Sequence, residues 1–170
     1  FIDTARSKAK EYGVDDLCRF EQGDIREKVR TLSGYDIIIL GSIGPVLGNY
    51  EETLLLLSKC LNKGGMVIID DGYIEDSNSY VHPVAQKRSD ILRQLSSASM
   101  RLVDENIIPR DFIRVSDEMI FDKIKQRCLE LMQKYPDKKT IFENYLIKQE
   151  EENNALENDI ICSTMVIKPE

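Results

Sequence analysis

Tyr35-Asp36-Ile37-Ile38-Ile39-Leu40 is an apolar run that passes straight into Gly41-Ser42-Ile43-Gly44-Pro45. Further along, Met66-Val67-Ile68-Ile69 passes in the same way into Asp70-Asp71-Gly72-Tyr73. In both, branched aliphatic residues follow one another without polar alternation, the pattern of a parallel strand buried on both faces. Glycine, proline and short polar residues then break the chain. Between the runs, Glu51 to Leu61 put Leu54, Leu57 and Leu61 on one helical face, and Lys63-Gly64-Gly65 reads as the stop signal. Strand, helix and strand in succession predict an α/β layer fold with a mostly parallel sheet.

The flanks extend this pattern. Upstream, Ile2, Ala5, Ala9 and Tyr12 share a helical face that ends at Gly13, and Cys18 to Gln22 read as a short strand closed by Gly23-Asp24. Ile25 to Leu32 read as a polar turn or short helix. Downstream, Pro83 to Ser97 predict a helix with Val84, Ile91 and Leu95 inward, and Leu102 to Ile108 a further strand. Ser116 is a good N-cap for a helix carrying Ile120, Ile124, Cys128 and Leu131. Pro136-Asp137 interrupts it, and a second helix carries Ile141, Tyr145 and Leu146 before Glu150-Glu151-Glu152. Asp159 to Lys168 close the chain as a strand. Neither an internal repeat nor a low-complexity linker divides the sequence, so residues 1–170 read as one domain with a helical insertion at about 116–158.

Composition narrows the function. A formal net charge of -7 argues against a broad grip on phosphate backbones, and so against a nucleic-acid partner. No apolar run approaches the roughly 18 residues that span a bilayer. Cys18, Cys60, Cys128 and Cys162 are far apart and form no C-x-x-C pair, which suits free thiols in a reducing cytoplasm. The first residue is Phe1 and no signal-peptide pattern follows it, so an upstream segment is expected to have been removed.

Taken in order, Phe1 to Gly72 resemble the middle of a class I, Rossmann-like S-adenosylmethionine-dependent methyltransferase. Ala5-(x)3-Ala9-(x)3-Gly13-Val14 is similar to the helix after the family's ribose-binding strand. Phe20-Glu21-Gln22-Gly23-Asp24-Ile25 resembles its third-strand motif, and Tyr35 to Gly41 its fourth strand. Leu61-Asn62-Lys63-Gly64-Gly65-Met66-Val67-Ile68-Ile69-Asp70-Asp71 resembles the fifth, with its lysine-glycine-glycine turn. The resemblance implies a sheet in the order 3-2-1-4-5-7-6 whose last strand, Asp159 to Lys168, is antiparallel and lies between the strands at Met66 and Leu102. It implies S-adenosylmethionine as cofactor. Gly23, Asp24 and Ile25 would stand at the adenine, and Gly41, Ser42 and Ile43 beside the methionine part. The glycine-rich loop and the ribose-binding acid of the family have no counterpart here, so its first two strands are missing. That would leave roughly 14 Å, three strand spacings of about 4.8 Å, unfilled between the strands at Cys18 and Asp36. A longer chain or a second copy completing the sheet is the expectation.

The chemistry should then sit beyond the carboxyl ends of the strands. Asp71, Tyr73 and His82 are the candidate catalytic groups, because methyl transfer needs positioning and, for some acceptors, a general base. The residues after Leu40 lack the Asn/Asp-Pro-Pro-aromatic signature of base and glutamine N-methylation, so the acceptor is read as a small molecule. Asp70-Asp71 is a carboxylate pair of the kind magnesium takes, yet a second ligating aspartate after the fourth strand is absent and no metal site is assigned. Phe121, Tyr135, Phe142 and Tyr145 either pack between the inserted helices or line a lid over the acceptor. Two rival readings are a nicotinamide-dependent oxidoreductase and a non-catalytic scaffold that completes a partner's sheet. Against the first, Pro45 spoils Gly41-x-x-Gly44 as a phosphate loop.

Overall fold

The computed structural model describes residues 1–170. Its centre is a four-stranded sheet in the order β1-β2-β4-β3, formed by β1 (Tyr35–Gly41), β2 (Leu61–Ile74), β3 (Met100–Ile107) and β4 (Ile160–Pro169). β1 runs parallel to β2, with Ile38 opposite Val67 and Gly41 opposite Asp70. β4 is antiparallel to both β2 and β3. The last strand therefore lies where the family resemblance puts it, between the strands at Met66 and Leu102. The helices are α1 (Ile2–Glu11), α2 (Ile25–Lys28), α3 (Tyr50–Leu57), α4 (Arg88–Ser97), α5 (Arg110–Lys134) and α6 (Lys139–Asn158). None of them is long and apolar enough to cross a membrane.

The larger of two core clusters occupies one face of the sheet. Leu54 and Leu57 of α3 and Ile91 and Leu95 of α4 pack on Val67, Ile69 and Tyr73 of β2 and on Met165 and Ile167 of β4. Each is at most 5% exposed, and complete burial of one such side chain contributes about 1.5–3 kcal/mol. α3 starts with a reciprocal cap: the Asn49 side chain accepts from the Glu52 amide while the Glu52 carboxylate accepts from the Asn49 amide.

Several expectations from the sequence are corrected. Cys18 to Gln22 form no strand; Cys18 is extended, but the segment has no hydrogen-bonded neighbour to make it one. β1 is not buried on both faces, since Ile37 is 51% and Ile39 67% exposed. It is the edge of the sheet, and only the side bearing Ile38 and Leu40 meets the core. α3 stops at Leu57, and Leu61 opens β2 by pairing with Tyr35 instead of ending a helix. Asp70 to Tyr73 are no turn: β2 continues through them because β4 pairs with it as far as Ile74. α4 begins at Arg88 and not at Pro83, and Val84 is half exposed in the preceding loop. α5 begins at Arg110, behind Pro109, whose φ of -59° is already helical and whose carbonyl accepts from the Phe112 and Ile113 amides. Ser116 lies inside that helix, so the helical pair covers 110–158.

Candidate active site

The candidate site grows out of a mismatch in strand length. β1 ends at Gly41, opposite Asp70, whereas β2 continues to Ile74. On the side that β1 has left, the chain returns only at Lys87, which bridges to Ile74, while the Ile74 amide donates to the Gln86 carbonyl. Between Asp70 and Ile74 the edge of β2 is therefore notched. The Gly72 amide, which faces no strand there, donates to the Asp71 carboxylate (2.8 Å).

Asp70 fastens the near wall of the notch. Its carbonyl accepts from the Ser42 amide (2.9 Å), its Oδ2 from the Ser42 hydroxyl (2.9 Å) and its Oδ1 from the Thr164 hydroxyl (3.2 Å). Ser42 adopts φ +51°, a left-handed conformation that is costly for a residue with a side chain. A side chain placed at Gly41 or at Gly44 would meet nothing within 4 Å, so the rim beyond β1 is open. Ile43 on this rim is 44% exposed.

The N-terminus of α3 forms the second wall. Tyr50 donates through its hydroxyl to Asp71 Oδ2 (3.1 Å), and its amide donates to Gln94 Oε1 (3.0 Å). Gln94 donates in turn to Gln86. Burial, followed by the charge of Asp71 and the hydrogen bond to it, pushes the Tyr50 phenol well above its ordinary range. The pair is thus a neutral phenol and an acceptor carboxylate.

Two adjoining cavities share Tyr50, Asp71, Val84 and Gln86. The smaller, about 40 Å³, reaches Leu40, Gly44, Pro45 and Asn49 at the end of β1. The larger, about 290 Å³, is closed by His82 and Ala85 from the loop and by Glu152, Ala155 and Leu156 of α6. His82 Nδ1 accepts from the amides of Val84 (3.2 Å) and Ala85 (2.9 Å), which leaves its ring proton on Nε2. Gly72 lines the same cavity; a Cβ there would come within 2.5 Å of the Ile160 side chain, so only glycine lets β4 pack this closely.

The structure thus brings Asp71 and His82 into one cavity. Tyr73 does not join them. It points from the same face of β2 but is 1% exposed, with the Arg88 guanidinium 5.7 Å over its ring. Burial raises its phenol. Gly23, Asp24 and Ile25 sit at the start of α2, where the Asp24 carboxylate caps the Arg26 amide and also takes the Arg26 guanidinium. The Arg26 bonds hold its carboxyl down at about 2. Ile25 lies in an apolar trough of about 270 Å³ with Leu40, which links α2 to the end of β1. Phe142 and Tyr145 line a groove between α5 and α6, away from the Asp71 cavity. Sequence reading missed Tyr50, Gln86 and Glu152. The Asn49-x-x-Glu52 box announces a helix start and hence Tyr50 at its first position; nothing local marks the other two.

No family model matches the chain, and no curated protein matches its sequence. Solved structures match over nearly its whole length. A SAM-dependent methyltransferase from Geobacter sulfurreducens, in complex with S-adenosyl-L-homocysteine, is 16% identical with a TM-score of 0.71; the match covers 99% of this chain and 71% of that one. A SAM-dependent methyltransferase from Thiobacillus denitrificans, with the same ligand, is 12% identical with a TM-score of 0.76, over 99% of this chain and 71% of that one. The [4+2]-cyclase SpnF is 13% identical with a TM-score of 0.71, over 99% and 62%. The chain therefore has the Rossmann-like fold of the S-adenosylmethionine-dependent methyltransferases, a fold that also carries other chemistry.

Proposed function

We propose that this chain catalyses transfer of a methyl group from S-adenosylmethionine to a small-molecule acceptor. The reading rests on one observation above the rest: the Tyr50–Asp71 pair stands at the junction of two cavities, one opening at the end of β1 and the other closed by α6. That arrangement lets the reacting tip of a donor at the end of β1 meet an acceptor in the larger cavity at one polar pair, and positioning supplies most of the catalysis in a direct displacement. The cofactor supplies an electrophilic methyl group. Gly41, Ser42, Ile43 and Gly44 suit its methionine end, because the rim there is open and fixed by Asp70. Ile25 and Leu40 offer an apolar surface for its adenine. Asp24 suits the adenine amino group only if Arg26 swings aside, since Arg26 already engages both carboxylate oxygens. The 110–158 insertion acts as the lid of the acceptor compartment through α6, and the free cysteines suit a reducing compartment such as the cytoplasm.

The nicotinamide alternative loses support at α3. A phosphate needs several free amides at a helix start, and here the amides of Val46, Gly48, Asn49, Tyr50 and Glu52 have partners within the chain, so that of Glu51 stands alone in the first turn of α3. Calorimetry with S-adenosylhomocysteine and with NAD tests the choice. Micromolar binding of the first and not the second is expected; the reverse would overturn the proposal.

A further inference from the structure

Resting on the methyltransferase reading, we infer that the acceptor is a small aliphatic amine, bound as its cation between Asp71 and Glu152 in the cavity beneath α6. The lining is the first argument. The cavity of about 290 Å³ carries the carboxylates of Asp71 and Glu152, and no lysine or arginine lines it. The remaining walls are largely apolar, from Val84, Ala85, Ala155, Leu156 and Ile160, which suits a short hydrocarbon body.

The hydrogen-bond directions are the second argument. Tyr50 spends its only hydroxyl proton on Asp71, so toward the cavity its oxygen can only accept. Asp71 takes one bond on each oxygen, from Gly72 and from Tyr50, and keeps lone pairs free on both. An ammonium group is all donors and matches Tyr50 and Asp71. A carboxylate or phosphate acceptor would face two negative side chains, and at the start of α3 the amides of Tyr50 and Glu52 are already engaged, which leaves too few to hold it.

His82 does not serve as the base in this scheme, because Nδ1 is held by two amides and Nε2 carries the proton. The Asp71 carboxylate, or water beside it, takes one proton from the ammonium group. The amine nitrogen then forms the new N–C bond as the sulfonium C–S bond breaks, the electron pair leaving on the thioether sulfur. The products are a methylated ammonium ion, the thioether and one proton.

The test compares cyclohexylamine, cyclohexanol and cyclohexanecarboxylate on the full chain. Each is titrated by calorimetry without cofactor, then supplied with S-adenosylmethionine while S-adenosylhomocysteine release is followed. The amine should bind at least about tenfold more tightly than the alcohol, and the carboxylate should bind more weakly than either. Asp71→Asn should weaken amine binding at least about tenfold. Glu152→Gln, on the exposed rim and unable to disturb the core, should weaken it about threefold. Equal or tighter binding of the alcohol or the carboxylate, in protein that still binds S-adenosylhomocysteine, overturns the amine inference alone. So does amine affinity that neither variant changes. Selective amine binding with no S-adenosylhomocysteine binding overturns the methyltransferase reading and leaves the amine site standing.

Discussion

Replacing Asp70 with alanine should loosen the rim of the site and destabilise the fold by a measurable amount. Its side chain accepts from the Ser42 hydroxyl at 2.9 Å and from the Thr164 hydroxyl at 3.2 Å. The first bond is exposed and the second partly buried, so about 1 kcal/mol for each is reasonable, or about 2 kcal/mol for the substitution. The backbone pairing of Ser42 with residue 70 survives in the variant, which keeps the loss to the side chain. Ser42→Gly sheds about 1 kcal/mol of left-handed strain and forfeits a bond of similar size, so its own effect should be near zero. In the Ser42→Gly background Asp70→Ala should then cost about 1 kcal/mol, because only the Thr164 bond is left to lose. Urea unfolding of the wild type, both single variants and the double variant measures this cycle. A loss below about 0.5 kcal/mol for Asp70→Ala, or the same loss in both backgrounds, would refute the clamp.

Leu54→Ala should cost about 2–5 kcal/mol, as expected of a side chain with no exposure, whereas Ile39→Thr at 67% exposure should change stability by less than about 0.5 kcal/mol; urea midpoints compare them. Tyr50 should ionise last among the seven tyrosines, so absorbance at 295 nm in Tyr50→Phe should match wild type until strongly alkaline pH. The folded state holds the Tyr50 proton after the unfolded state has released it. Tyr50 therefore contributes stability that is full below about pH 10 and lost as pH rises beyond it, a loss that Tyr50→Phe removes. The Asp24 carboxyl should titrate in NMR at about 2 and return toward its ordinary value in Arg26→Ala. Arg26→Ala should also leave S-adenosylhomocysteine binding unchanged or tighter, since it frees the carboxylate; weaker binding would remove Asp24 from the cofactor site.

Much of the fold was legible because its signals are local. The aliphatic runs at Ile37 to Leu40 and Met66 to Ile69 form neighbouring parallel strands, and Gly13 and Pro136 punctuate where they should. The errors share a cause, which is that pairing and burial are decided by distant chain. Ile37 and Ile39 have the pattern of a fully buried strand, yet exposure follows from the position of β1 at the sheet edge. Asp70-Asp71-Gly72 has turn chemistry, but β4, far along the chain, extends the strand through it. Cys18 to Gln22 have strand composition and no strand beside them. The site divides the same way. Asp71 and His82, candidates from the sequence, line one cavity, while Tyr50 comes from a helix start and Glu152 from a helix that returns over the sheet.

The notch itself follows from these distant pairings. β2 can outrun β1 only because β4 supplies hydrogen bonds along its other edge, from Val67 to Ile74. The unpaired edge at Asp71 to Tyr73 would otherwise be a cost, and it is covered from three directions. Ser42 closes it below, Gln86 and Lys87 close it above, and the Asp71 side chain caps the Gly72 amide between them. Once Asp71 is turned back on its own strand to satisfy that amide, its second oxygen faces Tyr50 and the cavity. The same antiparallel strand that stabilises the extension also brings α6 back over the notch, because α6 leads directly into β4. A carboxylate whose position is dictated by backbone satisfaction, under a helix whose position is dictated by strand order, needs no separate device to be aligned. Shortening β2 by a proline at Tyr73 would for this reason remove the cavity and the α6 contact together, not one without the other.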